Sequence, residues 1–140
     1  MKKLSLLIVA IAFIGLSANA QSGFFKRASD GKTTDTLTNS ATVNMQLPIS
    51  GFQNVVSIQP LVTKISGTTA GTLRLYGSLD GTNYVRINAT TDSLVLANTA
   101  GVQTKIFLVN NSPYAYYQVR VTGTGTESTK VQTYAIWRKE

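Results

Sequence analysis

Gly71-Thr72-Leu73-Arg74-Leu75-Tyr76-Gly77-Ser78-Leu79-Asp80-Gly81-Thr82-Asn83-Tyr84-Val85-Arg86-Ile87 is the stretch that decides the fold. Leu73 and Leu75 alternate with Arg74 and Tyr76; beyond Asp80-Gly81, Val85 and Ile87 alternate with Tyr84 and Arg86. Successive side chains of a strand point to opposite faces, so each run has one apolar face and one polar face. Asp-Gly between two such runs marks a tight hairpin, because both residues tolerate positive φ.

The same period continues outward. Upstream, Val43, Met45, Leu47 and Ile49 alternate with Thr42, Asn44, Gln46 and Pro48, and Pro48 places this strand at an edge or ends it. Asn54 to Ile65 reads as a long strand that Pro60 bends or divides. Downstream, Ser93 to Ala97 is short, and Ile106 to Val109 is apolar throughout, as in a strand covered on both faces. Tyr117, Val119 and Val121 alternate with Tyr116, Gln118 and Arg120. In Ser128 to Arg138 both faces are partly apolar, so the pattern leaves the buried face open. About eight strands separated by turn residues, with no convincing helix between them, predict an all-β antiparallel sandwich of jelly-roll or Ig-like type. A closed barrel is the alternative.

The N-terminus carries an address. Lys2 and Lys3 precede an apolar run from Leu4 to Leu16, and Ala18-Asn19-Ala20 offers a small-x-small cleavage pattern. The run is short of the roughly 20 residues a membrane-spanning helix needs. Residues 1–20 are therefore expected to be a cleavable signal peptide, with no membrane span after cleavage and an exported product: periplasmic, on the cell surface or extracellular. Residues 21–40 are polar apart from Phe24-Phe25 and read as a flexible N-terminal arm or a late-pairing first strand, leaving 41–140 as the sandwich domain.

Composition excludes more than it specifies. The 140 residues contain no histidine and no cysteine. That removes imidazole general bases, Ser-His-Asp and Cys-His nucleophile systems and His/Cys zinc sites, and leaves stability to burial alone. No cofactor is implied. Without Lys2 and Lys3, eleven basic residues face six acidic ones, a net charge of +5 with no block of like charges. The carboxylates Asp30, Asp35, Asp80, Asp92, Glu127 and Glu140 include no pair placed to flank a sugar, so no catalytic residue is assigned. Asp80 with Asn83 could offer oxygens to calcium, but the loop lacks the acidic density of such sites; no metal is expected.

Read together, the outward faces hold a candidate ligand-binding set: Arg74 and Tyr76, Tyr84 and Arg86, Tyr116 and Arg120, and Tyr134. If their strands share one sheet, they form a platform of rings and guanidinium forks suited to stacking and to bidentate bonding of carboxylate or phosphate. Nucleic acid fits poorly, because single-strand binders concentrate their basic charge in a groove.

The hairpin Gly-Ser-Leu-Asp-Gly-Thr-Asn-Tyr at 77–84 and the strand Tyr117-Gln118-Val119-Arg120-Val121-Thr122-Gly123-Thr124-Gly125-Thr126 resemble patterns in small β-sandwich proteins of tailed phages and prophages. The signal peptide resembles those of Bacteroidetes-type bacteria. The resemblance implies a non-catalytic head-decoration, fibre or tail module and supplies no catalytic residues. The expectation is an exported structural or adhesive module that self-associates or meets other surface or virion proteins. A carbohydrate-binding module using the Tyr/Arg face is the alternative.

Overall fold

The computed structural model describes residues 20–49, 51–87 and 91–138. The expected signal peptide thus lies almost wholly outside the described residues. Among those described there is no helix; twelve strands form two antiparallel sheets. In chain order they are β1 (Ala20–Phe24), β2 (Lys26–Arg27), β3 (Thr34–Thr38), β4 (Thr42–Pro48), β5 (Gln53–Thr68), β6 (Gly71–Ser78), β7 (Val85–Arg86), β8 (Leu94–Leu96), β9 (Val102–Thr104), β10 (Phe107–Ser112), β11 (Tyr116–Gly123) and β12 (Thr126–Arg138).

Sheet A is centred on the two longest strands, β12 and β5, which pair along their whole length. β1 and β3 lie end to end along the other side of β12, and β10 and β9 do the same along β5. Sheet B runs β2-β4-β11-β6, with β7 and β8 end to end on the far side of β6. The chain passes between the sheets at most connections, which makes a sandwich and not a barrel.

Alternation does what the sequence implied for β4, β6 and β11 of sheet B, whereas Val85 of the two-residue β7, expected on the apolar face, is exposed. Val43, Met45 and Leu47 of β4, Leu73 and Leu75 of β6, and Tyr117, Val119 and Val121 of β11 all face the core and are buried. Sheet A answers with Val56, Ile58 and Val62 of β5, Phe107 and Val109 of β10, and Val131 and Ala135 of β12. The face left open in β12 is therefore settled: Val131, Thr133 and Ala135 point in, Tyr134 and Ile136 point out. The Tyr117 hydroxyl is satisfied inside by the Ser112 hydroxyl, and burial raises the phenol's pKa.

Pro60 does not divide β5, which runs unbroken through it. It falls between the β9 and β10 pairings, where no partner strand asks for its missing N–H. Its carbonyl accepts from the Thr104 hydroxyl at 2.7 Å. Residues 21–40 contain β1–β3 in place of a flexible stretch. β1 joins sheet A and β2 joins sheet B, and Phe25 between them is fully buried in the core. Leu37 of β3 is buried as well. Phe25, between β1 and β2, and Leu37 of β3 anchor this segment, and so sparse a signal does not stand out by periodicity. The strand expected to be covered on both faces is also covered on only one: Phe107 and Val109 are buried, while Ile106 and Leu108 are exposed.

Candidate functional site

Cross-strand register assembles the outer face of sheet B rung by rung. Tyr116 of β11 stands between Pro48 and Ser78. In the next rung Gln118 stands between Gln46 and Tyr76, extended by Lys26 on one side and Arg86 on the other. The rung after that places Arg120 between Asn44 and Arg74. Five of the seven candidate residues, Arg74, Tyr76, Arg86, Tyr116 and Arg120, therefore share one face. Tyr84 adjoins it just before β7, close enough to Tyr116 and Asp80 for their charges to reinforce the effect of burial, which raises the Tyr84 pKa.

Tyr134 does not belong to this set. It sits on β12 in the opposite sheet, with its ring 4.8 Å from that of Phe24. Its side chain faces outward there, but alternation carries no information about which sheet a strand joins.

The rings of sheet B are less free than a stacking platform requires. The Arg120 guanidinium lies 4.2 Å from the Tyr76 ring centroid, a cation–π contact worth about 0.5–1 kcal/mol at a surface site. The same guanidinium donates from Nε to Asn44 Oδ1 at 3.2 Å and from a terminal nitrogen to Gln118 Oε1 at 2.9 Å. Tyr116 is backed by Gly81, where an added Cβ would come within 3.2 Å of the ring. Gly81 has φ +74°, so the turn needs glycine both for its backbone and for this close approach. The Tyr84 hydroxyl is shielded from solvent and has no hydrogen-bond partner among the described residues.

Arg74 and Arg120 are direct cross-strand neighbours. Two like charges in that position destabilise a sheet. Neither has a carboxylate partner among the described residues, whose ion pairs are Arg27 with Asp30 and Asp35, Lys32 with Asp30, and Lys105 with Asp92. The Nε of Arg74 is shielded from water and makes no hydrogen bond there.

The described carboxylates are all engaged. Asp80 accepts from the backbone of Asn83 and Thr82, from the Asn83 amide and from the Ser78 hydroxyl, which holds its pKa well below the usual carboxylate range. It is the anchor of its turn, beside an apolar-walled cleft of about 290 Å³ lined by Gly77, Leu79, Val85 and Tyr114 among others. The hydrogen bond to Arg27 likewise lowers the Asp30 pKa. Glu127 is buried, taking the Ala70 N–H and the Thr129 hydroxyl at 3.4 Å each, and so ties the β5–β6 connection to β12. Among the described residues no cluster of three acidic side chains could hold a metal ion.

The outer face of sheet A has the opposite character. Phe24 pairs across with Tyr134; Ile136 pairs with Ser57, which pairs in turn with Leu108. Phe24 is 47 % exposed, Leu108 53 %, Ile136 59 % and Ile106 64 %. Ile106, Tyr134 and Ile136 border a shallow depression of about 150 Å³ floored by Ser57, Gln59 and Ala135. In the sequence the signal of this face is the excess of apolar residues in β12 and β10 over what one buried face needs.

Neither a protein-family model nor a curated protein matches the chain. Solved structures do share its architecture. The Yersinia pseudotuberculosis-derived mitogen superposes with a TM-score of 0.50 at 9% sequence identity, over 88% of each chain. A chain of the T13 IBDV viral particle gives 0.54 at 12% identity, over 84% of this chain and 31% of that one. The enzymatically active domain of bacteriophage CBA120 tailspike protein 4 gives 0.53 at 6% identity, over 85% of this chain and 18% of that one. This chain therefore spans about a third or less of the viral and tailspike chains. At such identities the likeness is one of fold, an antiparallel β-sandwich shared by proteins of unlike activity.

Proposed function

We propose that the chain is a non-catalytic, exported structural module that assembles with further copies of itself through the outer face of sheet A. The observation that carries this reading is the run of exposed Phe24, Ile106, Leu108, Tyr134 and Ile136 across neighbouring strands. Contiguous apolar surface of this kind marks an interaction site, whereas single exposed apolar residues are ordinary. A sheet face stacks naturally on another sheet face, about 10 Å away, with side chains interdigitating. A second copy supplies that face by two-fold symmetry. The middle of the patch carries no charge, while Lys130 and Arg138 stand toward the two ends of β12, so a crossed stacking joins apolar centres and keeps the basic ends apart. A part of one chain of the T13 IBDV viral particle, 31% of its length, shares this architecture, which supports a building-block role on a virion or cell surface. Sedimentation velocity at increasing concentration tests the reading: association in the unaltered chain and its loss in Ile136→Lys are expected.

A second reading, glycan binding, is favoured by one observation: five of the Arg and Tyr candidates share the outer face of sheet B. It is compatible with the first, since the two faces lie on opposite sides of the sandwich. Binding of any polysaccharide to the full chain, measured by affinity electrophoresis, tests it.

A further inference from the structure

We propose that the outer face of sheet B binds the carboxylate or sulfate groups of an acidic polysaccharide, held between Arg74 and Arg120. The inference rests on the glycan-binding reading and narrows it from sugars in general to anionic ones. It also moves recognition from the tyrosine rings to the guanidiniums.

Three features of the face lead there. Arg74 and Arg120 are adjacent across β6 and β11, an arrangement that destabilises the free protein and that a bound oxyanion converts into a favourable one. Arg120 is already oriented: neutral oxygens of Asn44 and the buried Gln118 hold its Nε and one terminal nitrogen, and Tyr76 supports its plane. Neutral oxygens fix the group without cancelling its charge. Arg74, in contrast, has no hydrogen-bond or carboxylate partner among the described residues, and its Nε is already out of water. A planar guanidinium presents paired N–H groups that match an oxyanion bidentately.

The rings argue against the competing ligands. A neutral sugar or a nucleobase binds by stacking on an open aromatic face. Here Tyr76 is covered on one side by Arg120, Tyr116 is backed by the Gly81 turn, and the Tyr84 hydroxyl is shielded. Lys26, in the rung next to Arg120, adds positive charge along the same face. Asp80, at the Ser78 end of the face, is consumed by its own turn. A polyanion lying across the strands meets basic groups in successive rungs.

Isothermal titration of the full chain with alginate, chondroitin sulfate, dextran, single-stranded DNA and sodium sulfate decides the matter. Alginate or chondroitin sulfate is expected to bind and dextran to give no heat. Arg74→Ala and Arg120→Ala should each weaken binding by about tenfold or more, as expected for losing one charge-assisted bidentate contact. Arg74→Lys should recover only part of the loss, and Arg138→Ala on sheet A should change nothing. A melting temperature at or above that of the unaltered chain in Arg74→Ala shows that the variant remains folded. If dextran binds as well as alginate and the arginine variants are unaffected, this inference fails while the broader glycan reading stands. If no polysaccharide binds, both fail. Equal binding of DNA with equal sensitivity to Arg138→Ala would reduce the face to a diffuse basic surface, and sulfate ion binding as tightly as the polymers would reduce it to a simple anion site. Either result overturns the inference.

Discussion

The two outer faces of the sandwich share one core and differ in nearly everything else. Sheet A turns outward Phe24, Tyr134, Ile136 and Leu108, with Ser57 and Gln59 between them. Sheet B turns outward Asn44, Gln46, Arg74, Tyr76, Gln118 and Arg120. The long strands of both sheets each bury one face, so the fold alone constrains neither outer surface. What is placed there is free to serve contact with other molecules. An apolar face lowers its free energy by being covered. A face with adjacent, carboxylate-free guanidiniums lowers its own by acquiring an anion. Under the two proposed readings the same scaffold serves two unlike interactions, and salt should separate them: screening weakens anion binding and leaves apolar association intact or stronger.

The largest test concerns the residue that joins the faces. Phe25 is fully buried where the chain passes from β1 in sheet A to β2 in sheet B, and its N–H bonds Thr133 O at 3.0 Å. Phe25→Ala is expected to cost about 3–5 kcal/mol in denaturant unfolding. A change near zero would mean that the N-terminal strands are an appendage, and that β1 contributes nothing to the sheet A surface.

Next in size is the surface itself. Ile136→Lys places a charge in the middle of the apolar face and should abolish self-association, because an interface that buries an unpaired ammonium is strongly disfavoured. Its monomer fold should be untouched, since Ile136 is exposed. The matching change on sheet B, Gln118→Glu, should leave association alone and weaken alginate binding.

A smaller effect comes from pH. The folded state holds Asp80 and Asp30 below their ordinary carboxylate pKa. The stability they supply is therefore complete above the unfolded value of about 3.9 and is lost as pH falls through the lower folded values. Thermal melts should show a falling acid limb below about pH 4. Asp80→Asn should make that limb shallower, and an unchanged limb would contradict the hydrogen-bonded geometry of the turn.

The smallest effect runs the other way. Arg74→Thr removes one of two facing charges and introduces a good strand former, so stability should rise by about a few tenths of a kcal/mol at low salt, less at high salt. A loss of stability would mean that Arg74 has a partner that its geometry does not show.

Much of sheet B was legible because its strands obey one rule. Leu73 and Leu75, or Val119 and Val121, point in while charged neighbours point out, so period two gives both the element and its face. Sheet A obeys the rule less openly. In β12 and β10, Ile136 and Leu108 make the outer face apolar as well, so alternation could not choose a face for β12 and suggested double coverage for β10. The failure has a physical source: an apolar letter reports a preference for burial and does not say whether the core supplies it. Tyr134 was misgrouped for a different reason, since sheet membership is decided by long-range pairing that no local period encodes. β1–β3 were hidden because short strands held by single residues, Phe25 and Leu37, carry almost no periodic signal.

That this protein works by surface contact is tested most directly by sedimentation velocity over a wide concentration range, at low and at high salt, on the unaltered chain and on Ile136→Lys. The account predicts reversible association that survives high salt and disappears in the variant. A single monomeric species at every concentration and salt, or association that Ile136→Lys leaves unchanged, would contradict it.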